Sequence, residues 1–112
     1  ANGREVALEV RVFYNGSGVN LESEFGGAEL QEIIEDWVAQ NTVVHRFSLT
    51  DATENMMLFE QVRIPLYREN GMARDTRSFA NDLRKYLNQK ANLTCKVMTK
   101  GLGKAELVIG EK

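Results

Sequence analysis

Cysteine, proline and histidine are scarce in this 112-residue chain, which contains one of each. A single thiol, Cys95, cannot form an internal disulfide, so we expect a chain that folds in a reducing setting such as the cytoplasm. A zinc site would need further His or Cys ligands, and no HxxxH, CxxC or DxDxDG spacing is present. We therefore expect no metal and no cofactor. Pro65 lacks a backbone donor, which predicts an edge strand or a bulge there.

Long hydrophobic runs are also missing. No apolar segment approaches the roughly 18 residues needed to span a bilayer. The N-terminal sequence ANGREVALEV lacks the cationic start and apolar block of a signal peptide. We expect a soluble protein that does not contact membranes. With 43% hydrophobic residues, a chain of this length is enough for one domain over residues 1–112.

Positive charge is almost absent from the first half of the chain. Residues 1–60 hold 3 Lys and Arg against 11 Asp and Glu, whereas residues 61–112 hold 11 against 5. The formal net charge of −2 therefore conceals halves of −8 and +6. Such a polarity indicates either an anionic partner for the second half or contact between oppositely charged surfaces, within one chain or between two.

The first half begins with a strand pattern. Strict alternation of apolar and polar residues over 5–14, EVALEVRVFY, predicts a strand with one buried face. The tetrapeptide NGSG at 15–18 is typical of a tight hairpin turn, and a shorter strand is predicted after it over 19–25. Apolar residues then recur at helical spacing from Ala28 to Gln40 and predict an amphipathic helix.

The rest of the chain carries four more strand patterns and a second helix. Strands are predicted over 43–50, 56–67, 93–99 and 105–109. In the first two, the expected core residues are Phe47, Leu49, Leu58, Val62, Ile64 and Leu66. Asp75 is a predicted N-cap for the second helix, whose apolar stripe is Phe79, Leu83, Tyr86 and Leu87.

These elements predict a single α+β domain of order ββαββαββ, a mainly antiparallel sheet with two amphipathic helices on it. The order suggests a duplicated ββα unit of about 50 residues, with pseudo-repeats over 4–55 and 56–112. The segment from Val10 to Tyr14 corresponds to that from Val62 to Leu66 at an offset of 52, and the helix stripes correspond at an offset of 49. The alternative, that any two amphipathic helices share such a stripe, stays open.

The sequence offers no motif for catalysis. His45 shares one face of its predicted strand with apolar residues, which favours a half-buried structural histidine. Cys95 shares a strand face with Leu93 and Val97, which favours packing as a small apolar side chain. A pair of Cys95 with His45 has no local motif in its favour, although sequence alone does not exclude it. We expect no catalytic residues. Carboxylates on the outer side of the first helix form what we call the acidic face: Glu29, Glu32, Glu35 and Asp36.

Arginines at the start of the second helix are unusual, because the helix dipole mildly disfavours cations there. One explanation is that Arg74 and Arg77 extend into solvent or pair with the acidic helix; the other is that they form an anion site with the free N–H groups. The residues proposed to bind an anion or nucleic acid, here called the basic set, are Arg68, Arg74, Arg77, Arg84, Lys85, Lys100 and Lys104.

Three classes of function fit these patterns. The first is a non-enzymatic interaction or assembly module that associates with itself or a protein partner through acidic and basic faces, giving a homo-oligomer in the first case. The second is a small nucleic-acid-binding accessory protein that uses the basic second half, although a pI near 5.5 disfavours strong non-specific binding. The third is a small ligand-binding domain or enzyme with a pocket between sheet and helices.

Overall fold

A computed structural model describes residues 3–13, 16–67 and 70–110 of the chain. The main strands are β1 (Arg4–Val12), β4 (Ser48–Ala52), β5 (Met56–Ile64), β6 (Cys95–Thr99) and β7 (Lys104–Ile109). Two further strands of two residues each, β2 (Glu24–Phe25) and β3 (Ala28–Glu29), pair only with each other. The helices are α1 (Leu30–Gln40) and α2 (Thr76–Ala91). Neither helix is long and apolar enough to cross a membrane.

The main sheet has the strand order β4-β5-β1-β7-β6. Pairing is antiparallel except between β1 and β7, which run parallel. β1 is the central strand, and Val6, Leu8 and Val10 all lie on its one buried face, as the alternation predicts. A mainly antiparallel sheet with two helices confirms the predicted α+β class.

Both helices contribute to a single hydrophobic cluster with one face of this sheet. The predicted stripe of α1 is buried, and so are Phe79, Leu83 and Leu87 of α2. Trp37 joins the helices, since its ring centroid lies 5.0 Å from that of Phe79 and 6.4 Å from that of Tyr86. No helix in the described part of the chain packs on the opposite face of the sheet, here called the open face.

A bulge in β5 overturns part of the predicted core. Between the pairs Val6–Val62 and Leu8–Phe59, β5 has two residues where β1 has one, and Gln61 adopts φ 52°. The extra residue switches the side-chain parity of the strand. Phe59 and Val62 therefore share the buried face, whereas Leu58, predicted as core, lies on the open face.

The predicted strand over 19–25 and its hairpin with β1 are wrong. Leu21 is fully buried, but only Glu24–Phe25 is extended, and both neighbours of β1 come from later in the chain. Tyr14 and Asn15, which belonged to the predicted strand and turn, lie outside the described residues. The order ββαββαββ is accordingly not confirmed.

The strand predicted over 43–50 begins later than expected. Val43–His45 form a 3₁₀ turn in which Val44 and His45 have positive φ, and β4 starts at Ser48. The strand predicted over 56–67 ends at Ile64, next to Pro65, which has no N–H to donate. Leu66, expected in the core, is consequently exposed.

The proposed duplication is not confirmed by the sheet order. A twofold relation that exchanges β1 and β5 would place β6 beside β1, as β4 lies beside β5. Instead β7 occupies that position, and β6 lies at the far edge. The duplication thus remains a prediction.

Candidate functional site

Three members of the acidic face lie on the outer side of α1. Glu32, Glu35 and Asp36 are exposed, and within the described residues none of them has a cation at salt-bridge distance. Glu29 is different, because it is half-buried at the N-cap and accepts a hydrogen bond from the Gln31 side chain. No three His, Cys, Asp or Glu residues in residues 3–13, 16–67 and 70–110 are placed to hold a metal ion.

Arg74 does not project into solvent at the start of α2. Its side chain is 11% exposed, its Nη1 lies 3.0 Å from Asp82 Oδ2, and its guanidinium lies 5.3 Å from the centre of the Phe79 ring. Asp82 is two turns into the helix, so Arg74 lies along the helix and away from the positive end of its dipole. Because Arg74 forms an ion pair with one residue of α2 and contacts the aromatic ring of another, it contributes to the packing of α2.

The start of α2 is already capped by its own residues. The Asp75 carboxylate accepts a 2.7 Å hydrogen bond from Ser78 N, and Ser78 Oγ accepts a 3.0 Å hydrogen bond from Asp75 N, which makes a capping box. The hydrogen bond from the Ser78 backbone is the main cause of the lowered pKa of Asp75. Arg77 lines a cavity of about 650 Å³ with Arg4, but the Asp75 carboxylate lines it too. A carboxylate at this position opposes binding of an anion.

The other described members of the basic set lie on α2 and at the connection between β6 and β7. On α2, Arg77 and Lys85 are exposed, while Arg84 is half-buried and donates a 2.7 Å hydrogen bond to Asn81 Oδ1. Lys100 and Lys104 lie near the open face and pair with carboxylates there. Arg68 lies outside the described residues. Three of the described members, Arg74, Lys100 and Lys104, are therefore paired with carboxylates.

A charged network that the sequence analysis missed occupies the open face. Glu9 and Glu106 are almost buried, with side chains 10% and 7% exposed. Arg11 donates to Glu9, Lys104 Nζ lies 3.3 Å from Glu9, and Lys100 Nζ lies 3.0 Å from Glu106. Burial acts to raise the pKa of Glu9, but the hydrogen bonds from Arg11 and Lys104 outweigh it and the pKa is lowered. Alternation placed Glu9 and Arg11 opposite the core; Lys104 and Glu106 come beside them only through the pairing of β1 with β7.

His45 and Cys95 are too far apart to act together. His45 is exposed just before β4, and Cys95 lies in β6, so the sheet separates them by four strand spacings, or about 19 Å. His45 Nδ1 donates to the Ala39 carbonyl oxygen 2.7 Å away. Burial raises the pKa of the Cys95 thiol to about 11, partly offset by Arg84, which leaves the thiol protonated and unreactive.

A cavity of about 540 Å³, here called the polar cleft, lies between the end of α1 and the flank of α2. Its walls include Gln40, Asn41, Tyr67, Asn70, Arg74 and Asp82. The sequence did not predict this cleft, because its residues come from four separate segments and form no motif.

Comparison with known proteins gives a family but no activity. No curated protein and no solved structure is significantly similar to this chain. A family model described as a domain of unknown function matches residues 4–110, which covers nearly the whole chain. The chain therefore belongs to the DUF6175 family.

Proposed function

We propose that this domain is a non-enzymatic interaction module that associates with itself, or with a basic protein partner, through its acidic face. The observation that carries the proposal is the set of exposed carboxylates Glu32, Glu35 and Asp36, which have no cationic partner within the described residues. An uncompensated patch of one sign on a rigid helix steers an oppositely charged surface toward it.

The exposed cations of α2 make a second copy a suitable partner. Arg77, Lys85 and Lys90 are exposed on the helix that packs beside α1 through Trp37. A contact between α1 of one copy and α2 of another pairs opposite charges. Repeated head to tail it gives rings or fibres, whereas a twofold arrangement cross-pairs both patches in a dimer. The single half-buried thiol fits a reducing compartment, and we infer a cytoplasmic location from it.

A nucleic-acid partner for the basic set is less well supported. Lys100 and Lys104 are bound to Glu106 and Glu9, and Arg74 is bound to Asp82. Phosphate contacts would have to displace these carboxylates. Binding to nucleic acid is therefore treated as a competing outcome of the experiment that tests the module.

The experiment measures mass by light scattering in NaCl from about 0.05 to about 1 M. The test variant combines Glu32→Gln, Glu35→Gln and Asp36→Asn. The matched control combines Glu22→Gln, Asp51→Asn and Glu54→Gln, which removes three exposed acidic charges from other parts of the chain. Poly-lysine is added as the probe for binding to a basic protein partner.

We expect the unmodified chain and the control to show a mass above one chain, or to bind poly-lysine, at low salt only. The test variant should do neither, because individual exposed ion pairs contribute only about 0.2 to 1 kcal/mol and the contact needs several. The proposal is contradicted if the unmodified chain stays monomeric at low salt and does not bind poly-lysine. A mass increase only with a mixed-sequence oligonucleotide would replace it with the nucleic-acid function.

A further inference from the structure

The polar cleft has no net charge among its described lining residues. Arg74 and Asp82 are the charged residues among them, and they form an ion pair at 3.0 Å. An anion entering the cleft would meet the Asp82 carboxylate, and a cation would meet the guanidinium. Because charged ligands pay a desolvation penalty that this pair does not offset, the cleft favours a neutral molecule.

The amide groups of the cleft offer both donors and acceptors. Asn41 Nδ2 donates a 2.8 Å hydrogen bond to the Trp37 carbonyl oxygen. This bond fixes the orientation of the side-chain amide, in which Oδ1 is the acceptor. Asn70 is oriented the other way, because its Oδ1 accepts from Met72 N at 3.0 Å and its NH₂ group holds the donors. Gln40 is exposed at the rim and supplies both kinds of group. Hydroxyl groups, which donate and accept at once, match such a surface best.

Tyr67, one of the residues that line the cleft, is an exposed aromatic residue. Tyr67 is 65% exposed although its backbone is paired with Ala73, so a fixed main chain displays the ring. The negative face of an aromatic ring attracts the weakly positive hydrogens of C–H groups. A ligand with one apolar C–H face and several hydroxyl groups would use both the ring and the amides.

We propose that the polar cleft binds a neutral saccharide unit, with its C–H face on Tyr67 and its hydroxyl groups on the amides and the Arg74–Asp82 pair. Its volume of about 540 Å³ lies within the range of roughly 300 to 1,000 Å³ found for small-molecule sites. Arg74 is already held by Asp82 and Phe79, so its side chain loses little conformational entropy when a ligand binds.

The test uses ¹H–¹⁵N spectra of the full chain at high salt, which keeps self-association out of the measurement. The probes are glucose, galactose, N-acetylglucosamine and their β-1,4-linked disaccharides cellobiose, lactose and chitobiose. We expect at least one of them to shift the amide signals of residues 40–42, 70–74 and 82 with a Kd of about 1 mM or tighter. Fluorescence of Trp37, which contacts Phe79 beneath Arg74, supplies a second readout.

Variants locate the binding. Tyr67→Ala should weaken the affinity about tenfold or more, whereas Tyr67→Phe, which keeps the ring, should change it less than about threefold. Leu102→Ala removes an exposed apolar side chain elsewhere and should leave the affinity unchanged. Folding of each variant is confirmed by its dispersed spectrum.

Several results would overturn the assignment. One is the absence of shifts at the cleft with about 20 mM of every saccharide. Another is an equal response in Tyr67→Ala and the unmodified chain. A response at the cleft to adenosine or to inorganic phosphate, with none to the saccharides, would show that the chemical class is wrong.

Discussion

Glu9 and Glu106 lie directly opposite each other across the parallel pair of β1 and β7. Carboxylates in such neighbouring positions repel each other unless cations are shared between them. Arg11 provides this link, because it donates to Glu9 while its Nε lies 3.7 Å from Glu106. Arg11 therefore offsets the repulsion between two almost buried carboxylates on the open face.

The lowered pKa of Glu9 makes stability depend on pH. Because the folded pKa lies below the unfolded value of about 4.5, ionised Glu9 contributes stability above 4.5, and the contribution is lost as pH falls through the folded pKa. We expect Glu9→Gln to flatten the decline in urea-unfolding free energy between about pH 5 and pH 3. Lys104→Met, which removes a partner, should flatten it partly, and Lys85→Met at an exposed site should not. A parallel decline in all four proteins would contradict the network.

Trp37 connects the two helices through Phe79 and Tyr86. Trp37→Ala should lower the free energy of unfolding by about 3 to 5 kcal/mol, because the substitution leaves a cavity in the shared core. Urea denaturation gives this difference. Leu102→Ala, at a side chain 97% exposed, should change stability by less than about 0.5 kcal/mol. A loss below about 1 kcal/mol in Trp37→Ala would mean that the helices do not depend on this contact.

The Asp75 capping box predicts the effect of two substitutions at one position. Asp75→Ala should cost about 1 kcal/mol at pH 7, whereas Asp75→Asn should retain most of the stability because it still accepts from Ser78 N. The pKa of Asp75 is lowered from about 3.8, so its stabilisation is present above that value and is lost as pH falls through the lower folded pKa. Thermal unfolding of Asp75→Asn should lack this acid-induced loss. Equal stability of Asp75→Ala and the unmodified chain would contradict the cap.

Gln61 adopts positive φ in the β5 bulge, where a side chain is strained. Gln61→Gly should raise the free energy of unfolding by up to about 1 kcal/mol because glycine adopts this conformation without strain. The same change at Gln89, exposed in α2, should lower it by about 1 kcal/mol. Opposite signs in urea denaturation would confirm the bulge. A loss at both positions would place Gln61 in ordinary extended backbone.

Local patterns were sufficient to predict the helices. The stripe from Leu30 to Val38 and the cap at Asp75 are set by contacts within a few residues, so the sequence alone specified both. The stripe also placed the acidic face on the outer side of α1. These features depend on the spacing of apolar residues and on the capping residue, and both can be read from the local sequence.

Long-range pairing was not predictable in the same way. Nothing near Leu58 indicates that the bulge at Gln61 moves it to the open face, and nothing near Glu9 indicates that Glu106 lies beside it. The polar cleft was missed for a related reason. Asn41, Tyr67 and Asp82 have no common spacing, and only the packing of α1 against α2 brings them to one cavity.

The parallel pairing of β1 with β7 affects how this domain is made. β7 is synthesised after β1 and β5, so the central strand β1 has only its β5 neighbour until residues 104–109 emerge from the ribosome. Until then, one long apolar edge is open to strands of other nascent chains. The sheet is complete only once β7 pairs with β1, so truncated chains that lack β7 should be recognised by chaperones or proteases as incompletely folded.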